Sequence, residues 1–199
     1  TIICIDRCGI VGPDGETHQG IYDVSMLLPI PNLIICAPST NEEAADMLYT
    51  ASITKKPFCI RYSKEKKEYH QCKMKKIEIG SWTKLKKGKD AYIITYGDFV
   101  QNALEISNES KYSIGVINAR FIKPIDEKML NSINTPIFVY EEVAQIGSLG
   151  SYLKTKTNKD ITIYAIKDTF VQQGARKEIL EHLGLDTQSI KTKIEKKLS

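Results

Sequence analysis

The sequence predicts an α/β protein with a largely parallel sheet, and three observations lead to that class. Short apolar runs rich in Ile and aromatic residues alternate along the chain with segments of helical periodicity. The runs are almost continuously apolar, which is typical of parallel strands covered by helices on both faces. Several helical segments also begin at a residue that can cap a helix.

Seven runs are predicted as strands. They are residues 2–5, 33–36, 58–62, 91–95, 114–118, 137–140 and 161–166, with a possible edge strand within 77–85. The first long helix is predicted to run to about Ile53, with Ser39 as N-cap and Glu42 completing a capping box. Further helices are predicted to begin at Asp98, at Asp126 and near residues 175 and 187.

The bulk composition excludes some classes of protein. The chain has 199 residues, enough for one large or two modest domains, with 42% hydrophobic and 26% charged residues. It has no uninterrupted apolar stretch of about 18 residues, so no membrane span is expected. Residues 1–6 are apolar but lack a basic lead-in, which favours a strand over a secretory signal.

Lysines are concentrated in one short region. The net charge is +4, and the cluster consists of Lys64, Lys66, Lys67, Lys73, Lys75, Lys76, Lys84, Lys86, Lys87 and Lys89. A nucleic-acid interface would need interleaved aromatic residues or a recognised fold, so no nucleic-acid partner is expected. We predict a solvated basic linker at residues 67–76, between domains at 1–66 and 77–199.

The cysteines give no sign of a metal site. Cys4, Cys8, Cys36, Cys59 and Cys72 form no CxxC pair and no metal-ligand cluster. An odd number of cysteines scattered through apolar segments fits reduced, mostly buried thiols in the cytoplasm. Cys8 is expected to pack.

The segment richest in functional groups is residues 6–20, called the glycine-rich loop below. It follows a predicted strand, where ligands bind in open α/β sheets, and it contains four glycines. Arg7 is a candidate to hold a phosphate, His18 to move a proton and Asp14 to hold a hydroxyl. The alternative is a polar structural loop. The glycine spacing is not GxGxxG, so a dinucleotide fingerprint is not supported.

Two later segments have structural interpretations. Glu141 and Glu142 are adjacent, and neighbouring residues of a strand rarely face one site, so we expect one of them to order a domain interface. Residues 147–151 imitate a phosphate-binding loop but lack the Lys-Ser/Thr pair, which favours close helix packing.

The glycine-rich loop strongly resembles the DRAG-(I/L)-VG-x-DG-x-THxG signature of the 1-deoxy-D-xylulose-5-phosphate synthases, thiamine-diphosphate enzymes of the transketolase type. The resemblance continues in the family's order almost to the end of the chain. The further matching segments are residues 22–23, 29–32, 37–39, 47–50, 60–62, 120–126, 141–142, 173–174 and 184–186.

The resemblance implies a partial pyrimidine-binding domain followed by a transketolase C-terminal-like domain. The family condenses pyruvate with glyceraldehyde 3-phosphate, with decarboxylation, for isoprenoid, thiamine and pyridoxal synthesis. It uses thiamine diphosphate and Mg²⁺, and a cytoplasmic homodimer is implied. Carried over residue by residue, Arg7 would bind the acceptor's phosphate, and Asp14 and His18 would lie beside the substrate as catalytic residues.

One departure concerns the substrate-binding residue Lys64. After Arg61 and Tyr62 the family usually has Pro-Arg-Gly, whereas this chain has Ser63, Lys64 and Glu65. Lys64 keeps the charge but offers a single ammonium in place of a two-pronged guanidinium. We expect acceptor binding weaker by about 1–2 kcal/mol, the worth of a lost charge-assisted hydrogen bond. The alternative is that Lys64 belongs to the solvated linker.

The resemblance also implies that the cofactor is held mainly by segments outside this chain. The family's cofactor-activating glutamate and its diphosphate-binding domain with the magnesium ligands precede the matched part. The chain alone is therefore expected to be inactive, and to be completed by the N-terminal part of the enzyme or by a partner chain. Alternatives are the small subunit of a related thiamine-diphosphate enzyme, a non-catalytic or regulatory module, and a basic nucleic-acid binder.

Overall fold

A computed structural model describes residues 1–65, 68–70 and 73–199 of the chain. The strands are β1 (Ile2–Ile5), β2 (Ile34–Cys36), β3 (Phe58–Arg61), β4 (Thr83–Lys86), β5 (Ala91–Thr95), β6 (Ile114–Asn118), β7 (Phe121–Lys123), β8 (Ile137–Ala144) and β9 (Ile161–Ile166). The helices are α1 (Asp23–Leu27), α2 (Asn41–Ser52), α3 (Phe99–Glu109), α4 (Glu127–Ser132), α5 (Leu149–Lys154), α6 (Arg176–Leu183) and α7 (Thr187–Leu198). A 3-10 turn at Glu16–His18 lies within the glycine-rich loop.

The strands form two sheets, and the predicted α/β class is confirmed. The first sheet has the order β1-β3-β2-β7, in which β1, β3 and β2 are parallel and β7 is antiparallel to β2. The second has the order β4-β6-β5-β8-β9, and only β4 is antiparallel to its neighbour. The predicted edge strand within 77–85 is β4, which begins at Thr83.

Strand β7 joins the later part of the chain to the first sheet. Its Phe121 pairs with Cys36 of β2, and the Phe121 and Phe58 rings meet edge to face at 6.3 Å. The largest core cluster also draws on both sheets, with Ile35 packed in the same cluster as Ile94 and Val139. The two sheets therefore share a core, and the position of each is fixed by the other.

The first long helix begins one residue later than predicted. Thr40, not Ser39, is the N-cap of α2, and its side chain accepts a hydrogen bond from the Glu43 amide at 3.1 Å. The Glu43 carboxylate in turn accepts from the Ser39 amide at 2.7 Å. The capping box is thus Thr40 with Glu43, one step along from the predicted Ser39 and Glu42.

The predicted domain limits at 1–66, 67–76 and 77–199 stay a prediction. Lys66, Lys67, Gln71 and Cys72 lie outside the described residues. Within the described part of the chain, no helix has the length and apolar character needed to cross a membrane.

Candidate functional site

The glycine-rich loop is closed at its base by its own backbone. Gly9 and Gly20 exchange two backbone hydrogen bonds, at 2.8 and 2.9 Å, and the Cys8 amide donates to the Tyr62 carbonyl at 2.9 Å. A Cβ atom at Gly20 would lie 2.1 Å from the carbonyl oxygen of Arg7, so only glycine allows this approach. The loop therefore leaves β1 and returns to the same point, beside the end of β3.

Three charged side chains meet on the exposed side of this loop and are called the ion cluster below. Arg7, whose backbone is left-handed at φ 56°, places Nη1 2.8 Å from Asp14 Oδ2. Lys64 reaches the same oxygen with Nζ at 3.4 Å. The side chains of Arg7 and Lys64 are 44% and 51% exposed, and that of Asp14 is 20% exposed. Two cations thus face solvent at one carboxylate, an arrangement able to receive an anion such as a phosphate.

His18 lies apart from the ion cluster. It ends the 3-10 turn, is exposed, and places Nδ1 2.9 Å from the hydroxyl oxygen of Thr17. It makes no hydrogen bond or ion pair with Arg7, Asp14 or Lys64 in the described structure. Three of the four site residues chosen from the sequence are therefore in contact, and the fourth is on the same loop but separate.

Beneath the loop lies a buried ion pair. Arg61 donates to Asp23 through Nε at 2.7 Å and through Nη2 at 3.2 Å, and the two residues are 5% and 7% exposed. The Cys8 thiol donates to the same carboxylate at 3.3 Å. Burial raises the pKa of the Cys8 thiol well above its usual range, so this thiol is neutral at physiological pH. The expected packing role of Cys8 agrees with this geometry.

The polar contacts continue from Arg61 into the second sheet. The Arg61 guanidinium lies 5.4 Å from the centre of the Tyr96 ring, and the Tyr96 hydroxyl donates to Glu141 at 2.9 Å. The amides of Leu149 and Gly150 also donate to Glu141, at 3.1 and 2.9 Å. Burial raises the pKa of Glu141 although these hydrogen bonds favour its charged form. The network links the base of the loop to the start of α5.

Glu142 points away from Glu141, as alternation along a strand requires. Its Oε1 accepts a hydrogen bond from the Ile10 amide at 3.0 Å, and both of its oxygens lie 2.8 Å from Nη2 of Arg176. Glu142 therefore joins the glycine-rich loop to β8 and α6, and the expectation that one of the two glutamates orders an interface is confirmed.

The segment at residues 147–151 packs as expected. Ser148 caps α5 by accepting from the Ser151 amide at 3.2 Å. A Cβ atom at Gly150 would lie 2.9 Å from the Ile163 side chain on β9. The glycine lets α5 lie close to the sheet. The described residues also contain no group of three or more His, Cys, Asp or Glu side chains able to hold a metal ion.

The site includes residues that the sequence did not single out. Arg61 lay in a segment of the resemblance but was given no role, and Asp23, Tyr96 and Arg176 were also passed over. Asp23 and Arg61 are 38 positions apart, and Ile10 and Glu142 are 132 apart. The signal that was available was a charged residue inside an otherwise apolar strand, since a buried charge needs a partner.

Two family models match the chain, one after the other. Residues 1–68 match the transketolase pyrimidine binding domain, and residues 80–190 match the transketolase C-terminal domain. The second match alone covers more than half of the 199 residues.

Curated relatives carry one name. The chain is 37% identical to the 1-deoxy-D-xylulose-5-phosphate synthase of Geobacillus sp. (strain WCH70), across 94% of this chain and 32% of that protein. It is 38% identical to the synthase of the same name from Listeria welshimeri, across 100% of this chain and 34% of that protein. The chain thus spans about a third of the length of the curated relatives it matches.

Solved structures share the fold. A structure described as a split gene transketolase, an inactive beta4 tetramer, superposes with a TM-score of 0.86 at 24% identity. The superposition covers 99% of this chain and 66% of that one.

Proposed function

Because this chain belongs to the transketolase family, we propose that it supplies the acceptor side of an active site that condenses pyruvate with glyceraldehyde 3-phosphate, with decarboxylation, to 1-deoxy-D-xylulose 5-phosphate. The observation that carries the proposal is the convergence of Arg7 and Lys64 on Asp14 at an exposed loop. The loop lies beside the carboxyl ends of β1 and β3, where open α/β sheets bind their ligands.

Each member of the ion cluster has a role in the proposal. Arg7 and Lys64 bind the phosphate of the aldehyde, Arg7 through paired N–H donors and Lys64 through one ammonium. Asp14 holds the two cations near each other before the aldehyde binds, and then accepts a hydrogen bond from its hydroxyl group. His18 moves a proton at the aldehyde's carbonyl oxygen, a task suited to an imidazole near neutral pH.

Thiamine diphosphate would supply the electron sink for decarboxylation. The described residues lack a donor set for its magnesium ion, so we assign both groups mainly to the rest of the enzyme and derive no step through them. The rest is the N-terminal part of the same protein or a partner chain. The proposal extends to a homodimer that makes isoprenoid, thiamine and pyridoxal precursors. A cytoplasmic location is supported by the four described cysteines, which are free thiols.

The test is aldehyde-dependent release of carbon dioxide from pyruvate by the full-length enzyme with thiamine diphosphate and magnesium. Arg7→Ala should raise the KM for glyceraldehyde 3-phosphate by about 10- to 100-fold, because it removes charge-assisted hydrogen bonds worth about 1.5–3 kcal/mol. Lys64→Ala should raise it less, and Lys64→Arg should lower it. Lys177→Ala, at an exposed lysine of α6, is the matched control and should have no effect.

A second acceptor makes the assay specific for the phosphate. Glyceraldehyde without phosphate cannot use Arg7 or Lys64, so the variants and the unaltered enzyme should turn it over equally. An Arg7→Ala enzyme with an unchanged KM for the phosphorylated aldehyde would remove Arg7 from phosphate binding. No release from the unaltered enzyme would favour a non-catalytic module, a reading that the lysine at position 64 already supports.

A further inference from the structure

One side of the glycine-rich loop is attached to the second half of the chain at several points. The amide of Ile10 donates to Glu142 at 3.0 Å, and the carbonyl of Gly12 accepts from the Gly174 amide at 3.3 Å. The carbonyl of Pro13 accepts from the Gln173 side chain at 3.1 Å. These attachments lie between Arg7 and His18, along the part of the loop that contains Asp14. The path of the loop is therefore set by residues more than 100 positions away in sequence.

Glu142 makes the closest of these approaches. It is 8% exposed, and a Cβ atom at Gly9 would lie 2.7 Å from its carboxyl carbon. The carboxylate therefore touches the loop backbone directly at Gly9 and Ile10. A second close approach occurs at Gly12, where a Cβ atom would lie 2.9 Å from the Gly174 carbonyl oxygen. Two of the loop's glycines are thus explained by contact with the second half of the chain.

Arg176 keeps this carboxylate in place. Its Nη2 lies 2.8 Å from both Glu142 oxygens, and its guanidinium lies 5.9 Å from the centre of the Phe99 ring. Burial raises the pKa of Glu142, and the positive charge of Arg176 opposes that rise. Removal of the Arg176 charge would leave a buried carboxylate without its cation, which is unfavourable in this environment. The hydrogen bond from Ile10 would weaken with it.

We infer that Glu142 and Arg176 are positioning residues for the aldehyde acceptor, acting through the glycine-rich loop and not by contact with the substrate. The inference rests on the proposed function and extends recognition of the aldehyde to β8 and α6. Loss of the pair releases the loop near Ile10, so the distances between Arg7, Asp14 and a bound phosphate are no longer fixed. Such loosening lowers affinity for the acceptor and leaves the binding of pyruvate unchanged.

The first test is kinetic and uses the full-length enzyme. Arg176→Met keeps the length of the side chain and removes the charge. It should raise the KM for glyceraldehyde 3-phosphate at least fivefold, while the KM for pyruvate stays within twofold. Arg176→Lys should restore part of the affinity. The matched control is Lys191→Met, which breaks the Lys191–Glu109 pair of 3.1 Å between α7 and α3 and should change neither KM.

The second test is hydrogen–deuterium exchange of the amides in residues 9–16, which needs no activity. Exchange should be faster in Arg176→Met than in the unaltered enzyme and unchanged in Lys191→Met. Equal exchange in all three proteins overturns the inference. Faster exchange with an unchanged KM for the phosphorylated aldehyde also overturns it. Failure of Arg7→Ala to change that KM would count against the proposed function instead. If Arg176→Met does not fold, Arg176→Lys supplies both measurements.

Discussion

Arg61→Met tests whether the buried ion pair beneath the glycine-rich loop holds this part of the fold. The substitution keeps an unbranched side chain of similar length but removes both N–H donors to Asp23, at 2.7 and 3.2 Å. Asp23 is 7% exposed, so water cannot fully replace those donors. The Cys8 thiol, 3.3 Å from Asp23, is only a weak donor.

The expected cost follows from these contacts. Two charge-assisted hydrogen bonds at about 1.5–3 kcal/mol each give a loss of about 3–6 kcal/mol. This range agrees with the cost of about 3–5 kcal/mol for leaving one member of a buried ion pair without its partner. The free energy of unfolding of a whole domain is about 5–15 kcal/mol, so the variant should be severely destabilised.

A double substitution shows whether the cost comes from the unpaired charge. Replacement of both partners, Arg61→Met with Asp23→Leu, leaves no buried charge and should recover most of the loss. The assay is urea unfolding followed by circular dichroism and by the fluorescence of Trp82, the chain's single tryptophan, which is 4% exposed. A loss below about 1 kcal/mol in Arg61→Met, or a double variant no more stable than the single one, would refute the reasoning.

Two further predictions concern a helix cap and the thiols. Asp186→Ala removes the acceptor for the Ser189 amide, 2.9 Å away, and should lower the free energy of unfolding by about 1 kcal/mol in urea titrations at neutral pH. Burial alone would raise the pKa of Asp186, but hydrogen bonds from Ser189 outweigh it and the pKa is lowered, so the stabilisation is present above the ordinary pKa and lost as the pH falls through the folded one; a difference that persists in strong acid would contradict this. Burial raises the pKa of Cys59 to about 11, so iodoacetamide at pH 8 should label the exposed Cys4 much faster than Cys59, as followed by peptide mass spectrometry; equal rates would contradict the burial of Cys59.

The sequence was sufficient for most elements of the fold because their signals are local. Near-continuous apolar runs such as the one at 114–118 are strands, and Asp126 and Asp186 cap the helices that follow them. Strand β7 was not predicted, since it has only three residues and pairs with β2, more than 80 positions earlier. Its place depends on a tertiary contact that no local pattern records.

The candidate site divides along the same line. The polar and glycine content of residues 6–20 indicated a ligand loop, and alternation along a strand separated Glu141 from Glu142 before any coordinates were considered. The partner of Glu142 could not be found in this way. Arg176 is one of many charged residues near the end of the chain, and only the packing of α6 against β8 brings it within 2.8 Å of Glu142.

The position of Lys64 decides between the two roles expected for it. It lies 3.4 Å from Asp14, in the ion cluster and not only in a solvated linker. Exposed ion pairs of this kind contribute about 0–1 kcal/mol to stability, so the cluster is not what holds the loop. The buried pairs, Arg61 with Asp23 and Arg176 with Glu142, do that. A phosphate that draws Arg7 and Lys64 away from Asp14 would therefore break only weak, exposed contacts, while the loop that presents those cations stays in place.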